Sequence, residues 1–318
     1  MVVFPDPELR DLRKKRDGFV TSGVAVNTKR TRSFQLARYK KFCKQFNFNT
    51  FPCSPSQASL YASYLSDMLK PVSIRNYLSA VWYFQKLYGY EDHSTNFMYK
   101  NTLNGIEREY RGVSVVRYPL KVTDLLKMRS LLNMDVYLDR LYWLGLLLAF
   151  RGVLRISHIV ESSHSLHVND ITVEKEYVKI HVRTSKTDQF GRNPHDIYLK
   201  RSDVSLLCPA LLLLEICVES RRYGCKLFAV RGSVLTYSYF NTRLKLLSIS
   251  IGLPISNVST HSLRHGGATF LKKLGLSTLD IMKKANWRSN VVYKYLHDTK
   301  NELLDLDFLP KNVYPTDF

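Results

Sequence analysis

Residues 141–150 form a run of ten apolar residues closed at its two ends by Arg140 and Arg151. A helix needs about 20 apolar residues to cross a bilayer, so this run is too short for that and suits a helix buried in a protein core. A helix apolar on all faces has to be surrounded by other elements. The chain has 318 residues, 45% of them hydrophobic, enough for two domains and a sizeable core.

The residues before and after this run differ in character. Between residues 18 and 90 there are ten Lys or Arg and a single acid, Asp67. Helical spacing dominates there. Leu36, Tyr39, Cys43 and Phe46 share a stripe, with Arg38, Lys40, Lys41 and Lys44 beside or behind it. Ser56 is a candidate cap for a helix to about Leu69, and Pro71 opens another carrying Ile74, Tyr77, Val81, Phe84 and Tyr88. A fourth helix is expected from about Ser94 to Tyr110. Aromatic stripes of this kind are core more often than base-stacking platforms. Residues 1–18 read as a mobile basic arm, in which Arg13-Lys-Lys-Arg16 is a nuclear address, a phosphate contact or a solvated charge run. Residues 19–110 read as a helical DNA-clamping domain, 111–119 as a linker and 120–298 as a second domain. Helices are expected there at about 123–132, 136–150, 204–220, 236–250, 260–274, 277–285 and 289–298. Tyr177-Val-Lys-Ile-His-Val182 alternates as a strand should, and residues 195–199 return as its partner after the turn chemistry of Asp188-Gln-Phe-Gly191. The fold class expected is mainly α with a small β-sheet.

Lys and Arg total 47 against 27 acids, a formal charge of +20. Such a field attracts polyanions and speeds encounter with them. Five cysteines without a C-x-x-C pair argue against a disulfide framework and a zinc module. The first sixteen residues lack an apolar signal core. A soluble, intracellular protein is expected, nuclear if eukaryotic and otherwise cytoplasmic, not secreted and with no membrane partner.

The chemistry-bearing residues come in order: Gly152-Val-Leu-Arg155-Ile-Ser, Arg183-Thr-Ser-Lys186-Thr-Asp, His261-Ser-Leu-Arg264-His265-Gly-Gly, then Trp287 and Tyr295. Guanidinium groups fit nonbridging phosphate oxygens bidentately and keep their charge, which makes Arg155 and Arg264 candidates to hold a phosphodiester as charge grows on it. His261 and Arg264 are i and i+3 on one helix. Gly266 and Gly267 weaken that helix by about 1 kcal/mol each relative to Ala, which implies close packing beneath the site. His261 and His265 have a zinc-compatible spacing but no third ligand near them, so no metal is expected. A phenol of pKa about 10 needs a positive environment to act as a nucleophile. Tyr293 and Tyr295 are two apart and cannot face the same way on a helix.

This ordered set resembles the active site of the tyrosine recombinase (phage integrase) family. The wording SKTDQFGR, HSLRHGGAT and NWRSNVVYKYL is most like the recombinases of DIRS-like and Crypton-like eukaryotic mobile elements. The resemblance covers the chain from about residue 20 onward. It implies a C-shaped clamp around double-stranded DNA, Arg155 at the end of the buried helix, and Arg155, Lys186, His261, Arg264, Trp287 and Tyr295 as catalytic residues. Of Tyr295 and Tyr293, the resemblance favours Tyr295, eight residues after Trp287 and followed by Leu-His, as the nucleophile, and it implies Lys186 as the general acid. It further implies a 3′-phosphotyrosine intermediate, strand exchange through a Holliday junction, no cofactor, and a homo-oligomer with a dimer per site and a tetramer in synapsis. Phosphate contacts are expected from Lys29, Arg30, Arg32, Arg38, Lys40, Lys41, Lys44 and Arg75. The apolar tail of residues 299–318 would dock on a neighbouring protomer. One departure stands out: where the family usually has an acid, three residues after the first arginine, this chain has His158. The alternatives are a non-catalytic DNA-binding protein derived from a recombinase and a type IB topoisomerase. A metal-dependent nuclease would need clustered carboxylates, which the sequence lacks.

Overall fold

The structure, a computed structural model, describes residues 7–112, 117–202, 205–222 and 224–287. The chain divides between Ser114 and Val115 into two compact units.

The first unit is helical: α1 (Pro7–Ser22), α2 (Val26–Gln45), α3 (Pro55–Ser66), α4 (Pro71–Leu87) and α5 (Phe97–Glu109). Residues 7–18, read as part of an arm, are thus helical, and residues 8–22 are all exposed. The helix starts follow capping chemistry. Ser54, not Ser56, caps α3, accepting the Gln57 N–H at 3.1 Å, because Pro55 occupies the first helical position, where a missing N–H costs nothing. Pro71 opens α4 in the same way, and the Asn96 side chain caps α5. The core is aromatic. Tyr39, Phe42, Tyr61, Ile74, Leu78, Val81 and Trp82 are buried, with Tyr61 packed 5.0 Å from Tyr39 and 4.9 Å from Phe42 between ring centroids. The α2 stripe runs through Phe42, leaving Phe46 exposed. The fully buried Gln85 ties Cys53 to the end of α4 through its backbone N–H (2.6 Å) and carbonyl (3.1 Å), so a buried amide is satisfied at both ends.

In the second unit come α6 (Val122–Ser130) and α7 (Tyr137–Arg151), a one-turn 3-10 helix (Ile156–His158), and a three-stranded antiparallel sheet of β1 (Ile171–Val173), β2 (Tyr177–Val182) and β3 (His195–Lys200). After these follow α8 (Ala210–Arg222), the short hairpin of β4 (Ala229–Val230) and β5 (Ser233–Val234), α9 (Tyr237–Ser250), α10 (Thr260–Lys273) and α11 (Thr278–Ala285). The chain is therefore mainly helical with a small antiparallel sheet. Residues 141–151 of α7 are all buried, each fully buried Leu contributing about 1.5–3 kcal/mol relative to exposure. The β2–β3 register pairs Val182 with His195. β1 was not foreseen in the sequence, being three residues long. α8 begins only at Ala210, after Pro209, rather than near 204. The helix expected at 289–298 and the tail of 299–318 lie outside the described residues. No helix among the described residues is long and apolar enough to cross a membrane.

Candidate active site

Two glycines set the distance between the segments that carry the candidate residues. A Cβ on Gly266 would lie 1.8 Å from the Leu120 carbonyl oxygen, and one on Gly267 would lie 2.0 Å from that of Phe150. Only bare backbone lets α10 approach both the segment before α6 and the end of α7. The Leu120 N–H donates to the Ser262 carbonyl at 3.1 Å along the same contact.

The chain leaves α7 through Gly152 and Val153. Val153 is fully buried with φ of 47°, a left-handed conformation that a β-branched residue rarely adopts. This turn ends α7 at Arg151, so Arg155 does not end the helix as expected. It lies four residues beyond, half-buried, and flanks the 3-10 turn of Ile156–His158.

Arg264 is buried, on the inner side of α10. Its guanidinium donates through Nη1 to the Val153 carbonyl and through Nη2 to the Ala285 carbonyl at 2.6 Å. It lies 4.9 Å from the centroid of the Trp287 ring. The strained turn after α7, the end of α11 and the indole thus hold one cation together. Trp287 belongs to a small core with Val153, Ala268, Leu271, Ile281 and Ala285.

His261 is exposed in the first turn of α10. Its imidazole is pushed below the ordinary histidine value, first by desolvation and then by Arg117, Arg264, Arg155 and Lys186. Arg155, Lys186 and Arg264, spread over more than a hundred residues of sequence, are thus all near enough to bear on His261. Lys186 stands exposed at the tip of a tight turn closed by reciprocal backbone bonds between Ser185 and Asp188 (2.9 and 3.0 Å). The buried Asp188 carboxylate accepts the N–H groups of Arg192 (2.9 Å) and Asn193 (2.7 Å), which shapes the rest of the loop.

His158 is buried with its Nδ1 3.1 Å from the His164 carbonyl oxygen. Burial, His164, Arg155 and Arg264 lower its pKa to about 4, against the partial support of that hydrogen bond. It is neutral at pH 7, with the proton on Nδ1 and a lone pair on Nε2.

Three residues near this cluster escaped the sequence reading. Arg117, in the segment read as linker, donates to Ser259 Oγ at 2.5 Å and is the largest charge effect on His261. His195, first residue of β3, lies 3.2 Å from Asn286 Nδ2 through its Nδ1, and its pKa is lowered by burial and then by Arg155 and Arg264. His164 contacts Thr184 Oγ1 at 2.9 Å. None carries a local motif; only the pairing of β2 with β3 and the docking of α11 bring the two histidines in. Tyr293 and Tyr295 lie outside the described residues. Among the described residues no group of three or more His, Cys, Asp or Glu is placed to hold a metal ion.

The eight candidate phosphate contacts all lie in the first unit. Lys29, Arg30, Arg32, Arg38, Lys40, Lys41 and Lys44 project from α2 and Arg75 from α4. Arg32 stacks 3.9 Å over the Tyr83 ring and Arg38 5.5 Å over Tyr77, while Arg75 is paired with Glu107 at 2.6 Å.

Residues 122–302, more than half of the chain, match the model of the phage integrase family, and the chain belongs to that family. The matched span includes the positions of Tyr293 and Tyr295. The fold is similar to that of XerH site-specific recombinase bound to palindromic difH substrate in a post-cleavage complex, with a TM-score of 0.60 and 19% identity, over 84% of this chain and 74% of that one. It is similar also to Tn1549 transposon integrase in complex with transposon right end DNA, with a TM-score of 0.57 and 13% identity, over 89% of this chain and 93% of that one. A lambda integrase dimer bound to a COC′ core site gives a TM-score of 0.56 and 15% identity, over 91% of this chain and 95% of that one. No curated protein matches the sequence.

Proposed function

We propose that this protein is a site-specific DNA recombinase that cuts and rejoins strands through a 3′-phosphotyrosine, with Tyr295 as nucleophile. The observation that carries the reading is Arg264, one helical turn from His261 on α10, with its guanidinium held by the Val153 and Ala285 carbonyls and covered by the Trp287 ring. Support comes from family membership and from relatives of the same fold that were solved with DNA.

Tyr295 Oη attacks the scissile phosphorus, forming an O–P bond as the bond to the 5′ oxygen breaks. His261, biased toward its neutral form by desolvation first and by its cationic neighbours second, is the acceptor for the phenol proton. Lys186 gives a proton to the departing 5′ oxygen. Arg155 and Arg264 stabilise the nonbridging oxygens, and the carbonyl and indole contacts fix Arg264 before the substrate arrives. One phosphodiester-type bond replaces another, so the step is close to thermoneutral and reversible, without ATP or metal. Trp287, with its ring on Arg264, supports that cation rather than acting alone. The basic face of α2 supplies duplex contacts, and double-stranded DNA is held by a dimer per site and a tetramer in synapsis, with the 299–318 segment docking in trans.

The non-catalytic reading rests on His158 in place of an acid. A neutral imidazole with its proton on Nδ1 still presents an acceptor on Nε2, the service a carboxylate would perform for a neighbouring arginine. The deciding experiment is a nicked suicide substrate with Tyr295→Phe and Tyr293→Phe. Covalent adducts are expected to vanish with the first and persist with the second, while DNA binding survives in both. Wild-type protein that binds DNA and forms no adduct would establish the non-catalytic reading.

A further inference from the structure

Proton delivery to a leaving oxygen needs hydrogen-bond reach, yet Lys186 stands on an exposed turn, where a lysine has much rotamer entropy to lose. The loop that carries it, residues 183–194, is braced internally by the Ser185–Asp188 turn and the Asp188 carboxylate. A loop braced in this way moves as a piece, and its roots decide where the piece sits.

Both roots meet a histidine contact. Two residues before Lys186, Thr184 Oγ1 lies 2.9 Å from His164 Nδ1. The His164 carbonyl accepts a hydrogen bond from His158 Nδ1, and the His158 backbone N–H donates to the Arg155 carbonyl at 2.9 Å. A continuous chain of contacts therefore runs from Arg155 through His158 and His164 to the outgoing root. At the returning root His195 is paired in register with Val182, and its Nδ1 lies 3.2 Å from Asn286 Nδ2. Asn286 stands between Ala285, whose carbonyl holds Arg264, and Trp287, whose ring covers it, and its φ of 48° ends α11 in a left-handed turn. An amide nitrogen donates, so His195 Nδ1 is the acceptor and the imidazole is neutral. Burial first, and the guanidiniums of Arg155 and Arg264 after it, favour that state.

We propose that His164 and His195 are positioning residues that pin the two roots of the 183–194 loop, one to the Arg155 segment and one to the Arg264–Trp287 segment, and so place Lys186 against both arginines. The proposal rests on the strand-cleavage reading above.

The test compares ordinary nicked DNA with DNA whose bridging 5′ oxygen is sulfur, a leaving group that departs without an acid. With the full chain, His195→Ala and His164→Ala are expected to slow adduct formation on ordinary DNA by about ten- to a hundredfold, the scale of a misplaced group. Both should approach the wild-type rate on the sulfur substrate, as Lys186→Ala should, with DNA affinity unchanged. His195→Asn puts an amide oxygen near the place of Nδ1 and should restore cleavage of ordinary DNA; His195→Gln should not. A defect that sulfur leaves untouched would assign the histidines to the fold or to the arginines and overturn the proposal. Hydrogen exchange of residues 183–194 gives a readout independent of chemistry: faster in His195→Ala and His164→Ala, slow again in His195→Asn. If the wild type forms no adduct, the cleavage reading fails. Exchange then judges the pinning alone, and equal exchange in wild type and His195→Ala would sink it.

Discussion

The two units carry positive charge in opposite ways. In the first, the cations of α2 ride outside an aromatic core, and those nearest the core are steadied by stacking, Arg32 on Tyr83 and Arg38 on Tyr77. In the second, Arg264 is buried, its fork fixed by two backbone carbonyls and its face covered by Trp287. Charge that attracts a polyanion works from any nearby point on a surface, because phosphates repeat along the duplex. Charge that meets one reacting phosphate has to be placed, and placement is what the glycine contacts, the strained Val153 turn and the end of α11 provide.

The largest contrast should come from removing one cation on each side of this comparison. Arg264→Lys keeps the charge but not the fork, and should lower the rate of adduct formation by about a hundred- to a thousandfold. Lys44→Ala should leave the rate at saturating DNA unchanged, while the log–log salt dependence of binding becomes shallower by about 0.9, one phosphate's worth. A Lys44→Ala defect in rate as large as that of Arg264→Lys would break the comparison.

Glycine should show the same divide in stability. Gly105, inside α5, has open space where its Cβ would stand, so Gly105→Ala should stabilise the chain by about 0.5–1 kcal/mol. Gly267→Ala puts a carbon into the Phe150 carbonyl and should cost about 3 kcal/mol or more in the second unit. Denaturant unfolding of each variant reads the sign; destabilisation by both removes the contrast between the two glycines, and a tolerated Gly267→Ala removes the argument that α10 needs bare backbone.

Acid should separate the units with a smaller effect. His158 has a folded pKa of about 4 against an ordinary 6.5, so the unfolded chain binds the extra proton first. Stability of the second unit is then full above about 6.5 and falls as pH drops toward 4, by roughly 3 kcal/mol at most from this residue. In the first unit Asp92, paired with Lys86 at 2.8 Å, has a pKa lowered to about 2, so its contribution persists until pH falls below about 3.8. Exchange protection followed from pH 7 to 4 should decline in α7 and α10 while α4 holds, and His158→Gln should flatten the decline. A first unit that softens first would reverse the assignment.

How much of this was legible in the sequence depends on the range of the interaction behind each feature. In the first unit α2 to α5 follow from local spacing and from signals such as Pro71 that act within one turn, whereas most of α1 reads as an arm and the cap of α3 reads two residues late. The β2–β3 hairpin follows from alternation and turn residues. Buried α7 follows from its composition, and the ordered arginines, lysine and histidine mark the family through their local wording. The sequence determined these because each is a pattern within about twenty residues. Tertiary structure alone decided that Arg155 lies past the end of α7, that Arg117 reaches the cap of α10, and that Gly266 and Gly267 meet Leu120 and Phe150. It alone brought His195 to Asn286 and made the histidine at 158 a neutral acceptor. Each of these is a contact between segments distant in the chain or a charge state set by burial, and a carbonyl's position or a local dielectric is written in no single stretch of residues.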